Sequence, residues 1–155
     1  MSPDLVGLLV TPAPRNVLGP WVMLRWISVG QARARSAVSS NRMLNEIMHK
    51  FSGSKIKLQC KKNFFLTGRQ HLIKRSILNI IENGLKYGNS VEIKVSDPHD
   101  KIVITIDDDG PGIPEKERER VLRPFYRLDK SRTASSGSVG LGLSIVQDIV
   151  NSHGG

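Results

Sequence analysis

Two asparagines lie one helical turn apart in the stretch NIIENGLKYGN, residues 79 to 89. Asn79 and Asn83 share one face of a helix, because residues four apart stack on the same side. Lys86 and Tyr87 follow on that side, so the face offers two amide oxygens, an ammonium group and an aromatic ring. Amide oxygens suit Mg²⁺, which keeps several waters and relies on phosphates for other ligands. The alternative is that both amides only hydrogen-bond neighbouring backbone.

A second group of polar residues follows a strand pattern in ITIDDDGPGIP, residues 104 to 114. The three carboxylates of residues 107 to 109 are consistent with a metal cluster or with a solvated turn. Gly110 and Gly112 permit a ligand to approach the backbone closely. A single carboxylate here can accept a hydrogen bond from an exocyclic amine such as that of adenine.

A glycine-rich stretch, SSGSVGLGLSIV, occupies residues 135 to 146. Gly137, Gly140 and Gly142 precede a helical pattern, and free N–H groups at a helix N-terminus suit a phosphate. Taken alone this signal is weak. Neither the dinucleotide-binding nor the P-loop fingerprint is present.

Hydrophobic periodicity predicts the elements that carry these motifs. Apolar positions at helical spacing predict the main helix over residues 68–87, with Gly88 ending it. The turn at residues 97–100 predicts a hairpin between two alternating strands. The remaining predictions are helices at 43–51 and 140–152 and strands at 55–59, 91–95 and 102–106.

Composition limits the classes of protein that need consideration. The chain has 155 residues, 39% hydrophobic and 24% charged, which is typical of one soluble domain. Its net charge of +9 comes with only 5% aromatic residues, which argues against a nucleic-acid interface. A single cysteine excludes an internal disulfide and fits a reducing compartment. No apolar run is long enough for a clear membrane span, although short apolar runs near the start leave a membrane-associated beginning open.

The composition changes near residue 42. Residues 1–42 contain five Arg and no Lys, whereas residues 43–155 contain eleven Lys and seven Arg. No helical or strand period persists in the first segment. We therefore predict an atypical linker or foreign segment over 1–42 and a folded domain over 43–155.

The order of the motifs (asparagine helix, D-D-G-P-G turn, R-P-F-Y-R, G-L-G-L) resembles the catalytic ATP-binding domain of bacterial sensor histidine kinases. That domain belongs to the gyrase, Hsp90 and MutL ATPase superfamily, and the similarity is greatest to the osmosensor EnvZ group. It implies the Bergerat ATP-binding fold, an α/β two-layer sandwich with a mixed, mostly antiparallel sheet and helices on one face. It also implies ATP and Mg²⁺ as cofactors and a cytoplasmic location, usually at the inner membrane.

The resemblance implies roles for the residues of the asparagine helix. Asn83 is the expected Mg²⁺ ligand, Lys86 approaches the phosphates and Tyr87 packs beside the adenine. Asn79, Glu82 and Lys86 are the candidates for catalysis. Hydrolysing relatives carry a Glu at the place of Asn79 as a general base, and an amide cannot accept that proton. Glu82 either assists proton removal or is an exposed helix residue.

The other motifs imply the rest of a nucleotide site. Asp109 is expected to bind adenine in a pocket shaped by Gly110, Gly112 and Ile113. A lid over residues 126–139 carries cations that suit a triphosphate or form only a solvated basic loop. The remaining implied contacts are Pro124 and Phe125 of the F box, Arg127, Lys130 and Arg132 of the lid, and Gly140, Leu141, Gly142 and Leu143 of the second glycine box.

Two features that accompany such domains are not found in the sequence. None of His49, His71, His99 and His153 lies in the H-E-[LF]-R-T-P context of a phosphoacceptor. The dimerising phosphoacceptor module is therefore expected on another chain, with a response regulator as the next partner. Relatives continue after H-G-G with a strand pair, so we expect C-terminal strands to be missing and a sheet edge to be exposed.

Two functions remain open at this point. The first is an ATP-binding kinase domain that transfers a phosphoryl group to a histidine of another module and from there to a response regulator. The second is a non-catalytic fragment or remnant of a split sensor kinase. A serine-kinase or anti-sigma relative is disfavoured, because those proteins carry Glu where Asn79 stands.

Overall fold

The computed structural model describes residues 21–25, 37–96, 102–128 and 139–152. Three helices and six strands alternate along this part of the chain. In order they are β1 (Trp21–Arg25), β2 (Ala37–Ser39), α1 (Ser40–Lys50), β3 (Lys55–Cys60), β4 (Phe65–Thr67), α2 (Gln70–Tyr87), β5 (Ser90–Ser96), β6 (Val103–Asp108) and α3 (Gly142–Ser152). Two short 3₁₀ turns, Glu115–Glu117 and Arg120–Leu122, lie between β6 and α3.

Four strands form one mixed sheet in the order β1-β6-β5-β3. β6 pairs antiparallel with both β1 and β5, and β3 pairs parallel with β5. The predicted hairpin strands are confirmed as neighbours, with Ile93 opposite Ile106; the predicted turn at 97–100 lies outside the described residues. β2 and β4 form a separate two-stranded sheet.

The hydrophobic core lies between one face of the sheet and the helices. Alternate residues of β5 and β6 point to this core, as the period of two in a strand requires. The buried core residues come from α1 (Met43, Leu44, Ile47), α2 (Ile73, Ile77, Ile80, Ile81), β5 (Val91, Ile93, Val95), β6 (Ile104, Ile106) and α3 (Val146, Ile149, Val150). This arrangement confirms the predicted α/β sandwich with a mostly antiparallel mixed sheet.

The described structure extends to both sides of the composition change near residue 42. α1 begins at Ser40, whose backbone N–H donates to Phe64 O at 2.8 Å while its hydroxyl accepts from Phe64 N at 2.9 Å. Further upstream, β1 pairs antiparallel with the edge of β6 that does not face β5. Short strands therefore occur where no lasting period was predicted, and whether 1–42 is foreign to the domain stays a prediction.

Gly84 allows α2 to lie close to the sheet. A Cβ on this residue would lie 2.8 Å from Val91 Cγ2 and 3.2 Å from Asp108 Cβ. Glycine inside a helix costs about 1 kcal/mol relative to alanine. The close packing of α2 against β5 and β6 explains why that cost is accepted at this position.

Gly84→Ala is expected to destabilise the domain by about 1 kcal/mol, because steric overlap with Val91 outweighs the gain in helix propensity. Urea denaturation measures this change directly. In a Val91→Ala background the same substitution is expected to be neutral or stabilising, giving a coupling energy of about 1 kcal/mol or more. Stabilisation by Gly84→Ala in the parent chain would show that the close packing is not required.

Candidate functional site

The two asparagines of α2 face the beginning of α3. Asn79 Nδ2 donates to Gly142 O at 3.4 Å. A Cβ on Gly142 would lie 3.4 Å from Asn83 Nδ2. Both amides are partly buried. Residues far apart in the sequence, predicted separately as an amide face and as a glycine-rich helix start, therefore meet in the structure.

The first turn of α3 adds polar backbone to this junction. α3 has eleven residues, and the first N–H groups of a helix have no partner within the helix. Leu141 and Leu143, on either side of Gly142, are half-buried. The beginning of α3 thus places hydrogen-bond donors and a positive dipole end beside the two amides.

Lys86 brings a buried cation to the same helix. Its Nζ atom is inaccessible to solvent and makes no hydrogen bond within the part of the chain that the structure describes. It lies 5.4 Å from the ring centroid of Tyr87, which is itself exposed. An ammonium group that is removed from water without a hydrogen-bond acceptor is unfavourable, so this atom is suited to an anionic ligand.

Glu82 lies elsewhere on α2. Its exposed side chain accepts a hydrogen bond from Lys50 Nζ of α1 at 2.8 Å. The side chain of Glu82 is therefore exposed and ion-paired to α1, and its assistance in proton removal stays a prediction.

The three consecutive carboxylates point in different directions. Asp108 continues the core-facing alternation of Ile104 and Ile106 and lies beside Gly84 of α2. One of its oxygens, Oδ1, accepts from Gly110 N at 2.8 Å, while Oδ2 lies 3.8 Å from the position of a Gly84 Cβ. Partial burial raises the pKa of Asp108.

Asp109, which the resemblance assigns to adenine, has a different environment. It is exposed, and its Oδ1 accepts hydrogen bonds from Asn89 N at 2.6 Å and Ser90 N at 2.8 Å. These N–H groups, Ser90 first, lower the pKa of the Asp109 carboxyl. The carboxylate beside α2 is therefore Asp108, and strand alternation extended by two residues beyond Ile106 would have identified it.

Asp107 lies on the opposite face of the sheet from Asp108. It is only 8% exposed, and burial raises its pKa. Its Oδ2 lies 3.6 Å from Lys94 Nζ, an ion pair too long for a hydrogen bond. The pleat of β6 thus separates Asp107 from Asp108, and Asp109 lies just beyond the strand. No group of three metal-ligating side chains occurs in the described part of the chain.

The turn after β6 is built on glycine. A Cβ on Gly110 would lie 2.7 Å from Asp108 Oδ1 and 3.1 Å from Tyr87 O. Gly112 has a φ of 90°, in the left-handed region. Ile113 is half-buried, and its carbonyl accepts from Arg118 Nε at 3.4 Å. The turn therefore lies against the end of α2, next to Asp108.

The two ends of the predicted lid meet at Phe125 and Gly140. Phe125 N donates to Gly140 O at 2.9 Å. Phe125 is 69% exposed and has a φ of 65°, which is strained for a residue with a side chain. Next to it, Tyr126 donates its hydroxyl to Glu117, and Arg127 is half-buried. Pro124 is exposed, while Lys130 and Arg132 lie outside the described residues.

The site and fold define an ATPase domain of the histidine kinase type. Residues 68–155 match the family described as histidine kinase-, DNA gyrase B-, and HSP90-like ATPase. The match covers more than half of the chain, and the chain belongs to this family. It contains the ATP-binding catalytic domain found in two-component sensor kinases, as the resemblance predicted.

Curated relatives agree with this assignment. The chain is 41% identical over 91 residues to the sensor histidine kinase CpxA of Escherichia coli K12, covering 58% of this chain and 20% of the relative. It is 43% identical over 91 residues to the sensor histidine kinase WalK of Bacillus subtilis 168, covering 56% and 15%. The chain therefore spans a fifth or less of the length of these relatives.

Solved structures support the same fold. The histidine kinase domain of the E. coli osmosensor EnvZ is 31% identical, with a TM-score of 0.56 and coverage of 82% of this chain and 80% of that one. The mycobacterial sensor histidine kinase MprB is 25% identical, with a TM-score of 0.62 and coverage of 76% and 79%. None of the helices in the described ranges is long and apolar enough to cross a membrane.

Proposed function

We propose that this chain binds Mg²⁺–ATP between α2, the turn at residues 108–113 and the beginning of α3, and takes part in phosphoryl transfer to a histidine. The observation that carries the proposal is the buried Nζ of Lys86, which has no hydrogen-bond partner among the described residues and lies on the same helix as the two amides. A buried cation, two amide oxygens and the N–H groups at the start of a helix together fit a metal-bound polyphosphate.

Different residues of the site are suited to the three parts of the ligand, which are the adenine, the metal ion and the phosphates. Asp108 is suited to the exocyclic amine of adenine, because its Oδ1 is held by Gly110 N and its second oxygen remains for the ligand. Asn83 is suited to a Mg²⁺ ion through its amide oxygen, and Lys86 to the phosphates. Asn79, held by its contact with Gly142 O, orients the start of α3. Bound ATP supplies the transferable phosphoryl group.

The acceptor and the next partner belong to the same proposal. Relatives are sensor histidine kinases, so we propose that a histidine on a separate dimerising module accepts the phosphoryl group and passes it to a response regulator. Asn79 carries an amide in place of a general base, which favours retention of the γ-phosphate for a protein acceptor over its hydrolysis. Positioning and charge neutralisation are the main requirements of such a transfer.

The substitution Lys86→Met tests whether the Lys86 ammonium group binds the phosphates of the nucleotide. Loss of one charged contact is expected to weaken ADP binding about tenfold in calorimetry with Mg²⁺. Removal of a buried ammonium that has no hydrogen bond to the described residues is expected to raise the unfolding temperature of the ligand-free chain. Asn83→Ala is expected to reduce the dependence of binding on Mg²⁺.

Glu82→Gln is the matched control, because Glu82 lies on the same helix with an exposed side chain paired to Lys50. We expect its ADP affinity to equal that of the parent. If the folded parent chain binds neither ADP nor ATP, the nucleotide proposal fails and the non-catalytic alternative replaces it.

A further inference from the structure

The end of α2 and the turn after β6 cross at backbone contact distance. A Cβ on Gly88 would lie 2.9 Å from Gly110 N and 2.6 Å from Asp109 Oδ1. Gly88 itself has extended backbone, with φ −116° and ψ 179°. Glycine is therefore required here for close approach of two chain segments, and left-handed geometry is not the reason.

Asp109 ties these two segments together with three hydrogen bonds. Its Oδ1 accepts from Asn89 N and Ser90 N, and its own N–H donates to Ser90 O at 3.3 Å. Both accepted bonds involve a charged acceptor, which makes them stronger than bonds between neutral groups. One carboxylate oxygen, Oδ1, therefore binds two successive backbone N–H groups of the chain that follows α2.

Asp108, the residue before Asp109, is the carboxylate that we propose to bind adenine. Asp108 and Asp109 share a peptide bond, and Asp108 Oδ1 accepts from Gly110 N on the other side of Asp109. Any shift of Asp109 relative to α2 therefore moves both Asp108 and the N–H that orients it. The distance between Asp108 and the α2 residues Asn83 and Lys86 depends on the same crossing.

We propose that Asp109 is a positioning residue, a latch that fastens the glycine turn to the end of α2 and so fixes Asp108 relative to the nucleotide. This inference rests on the proposed nucleotide-binding function. Asp109 does not contact the ligand in this arrangement. It acts through one oxygen, which accepts hydrogen bonds from two N–H groups. Asparagine at position 109 keeps that oxygen and should therefore hold Asp108 in place, whereas alanine should not.

Calorimetric titration of ADP with Mg²⁺ tests the latch. We expect Asp109→Ala to weaken ADP binding about fivefold and Asp109→Asn to change it by less than about twofold, because small displacements of positioned groups are costly. Glu119→Ala, which removes another exposed carboxylate after the same turn, is the control and should not change the affinity. Equal affinity of Asp109→Ala and the parent would overturn the inference.

A double-mutant cycle shows whether Asp109 acts through Asp108. In an Asp108→Ala background, Asp109→Ala is expected to cause no further loss of ADP affinity, since the group that it positions is gone. Fully additive losses would assign Asp109 a separate effect and would overturn the latch. Likewise, an equal loss in Asp109→Asn and Asp109→Ala would show that the charge is needed and not the hydrogen bonds.

Amide hydrogen exchange separates a failed latch from a failed nucleotide proposal. The N–H groups of Asn89 and Ser90 are expected to exchange slowly in the ligand-free parent and at least about tenfold faster in Asp109→Ala. Unchanged exchange of both amides would overturn the latch whether or not nucleotide binds. If the exchange changes but the parent binds no ADP, the nucleotide function has failed and the positioning role falls with it.

Discussion

Asp108→Asn is expected to weaken ADP binding about thirtyfold or more while stabilising the ligand-free domain. Gly110 N holds one side-chain oxygen, so the amide of the variant presents its NH₂ group where the parent presents Oδ2. Two donors then face each other at the exocyclic amine of adenine. The gain in stability follows because the variant no longer buries a carboxylate whose pKa burial raises.

The pH dependence of this gain has a defined sign. A carboxyl whose pKa is raised in the folded state favours folding below its ordinary value of 3.8 and loses that contribution as the pH rises through the raised value. The variant is therefore expected to exceed the parent in stability most near neutral pH, with the difference closing below pH 3.8. Denaturant unfolding at a series of pH values measures it.

Asp107→Asn is the matched control for Asp108→Asn. It also neutralises a carboxyl whose pKa is raised by burial, but its side chain lies on the other face of the sheet. We expect a similar gain in stability and unchanged ADP affinity. If Asp107→Asn weakened binding as much as Asp108→Asn, strand alternation would not distinguish the two residues and the assignment of Asp108 would be wrong.

Gly140→Ala is expected to destabilise the domain by about 2 kcal/mol or more and to weaken nucleotide binding. Gly140 has a φ of +78°, and an added Cβ would lie 2.9 Å from Tyr126 O and 3.0 Å from Phe125 C. Both neighbours are backbone atoms and cannot rotate away. The bond from Phe125 N to Gly140 O, which joins the two ends of the lid segment, is expected to break.

Gly53→Ala provides the control for backbone strain alone. Gly53 also has a left-handed φ, +100°, but a Cβ there would meet no atom within 4 Å. We expect a loss of about 1 kcal/mol and unchanged nucleotide affinity. Urea denaturation and ADP titration of both variants compare the two cases. Equal losses at the two glycines would contradict a specific role for the contact between Phe125 and Gly140.

The sequence predicted well those features that depend on local periodicity. Helical spacing placed Asn79 and Asn83 on one face of α2, and the structure brings that face to Gly142. Motif order identified the family, because four short patterns in one order rarely coincide. What the motifs could not supply was the direction of individual side chains, which strand alternation determines only when the end of the strand is known.

Two features of the strands differ from the prediction. β6 extends to Asp108, two residues beyond the predicted end, and for this reason we propose Asp108 as the adenine ligand in place of the expected Asp109. β1 was not predicted, because its sequence WVMLR has no alternation and its pairing depends on a distant strand. Gly84 was predicted only as a cost to the helix, since its contact with Val91 is a tertiary property.

The pairing of β1 with β6 also affects the order of folding during synthesis. Residues 21–25 leave the ribosome well before their partners, which are residues 103–107. Pairing across such a separation is slow, because a long loop must close before any contact forms. Until β1 docks, the outer edge of β6 presents unpaired N–H and C=O groups. In this interval two nascent copies can join edge to edge, so slower translation beyond residue 107 would give the intramolecular strand time to dock.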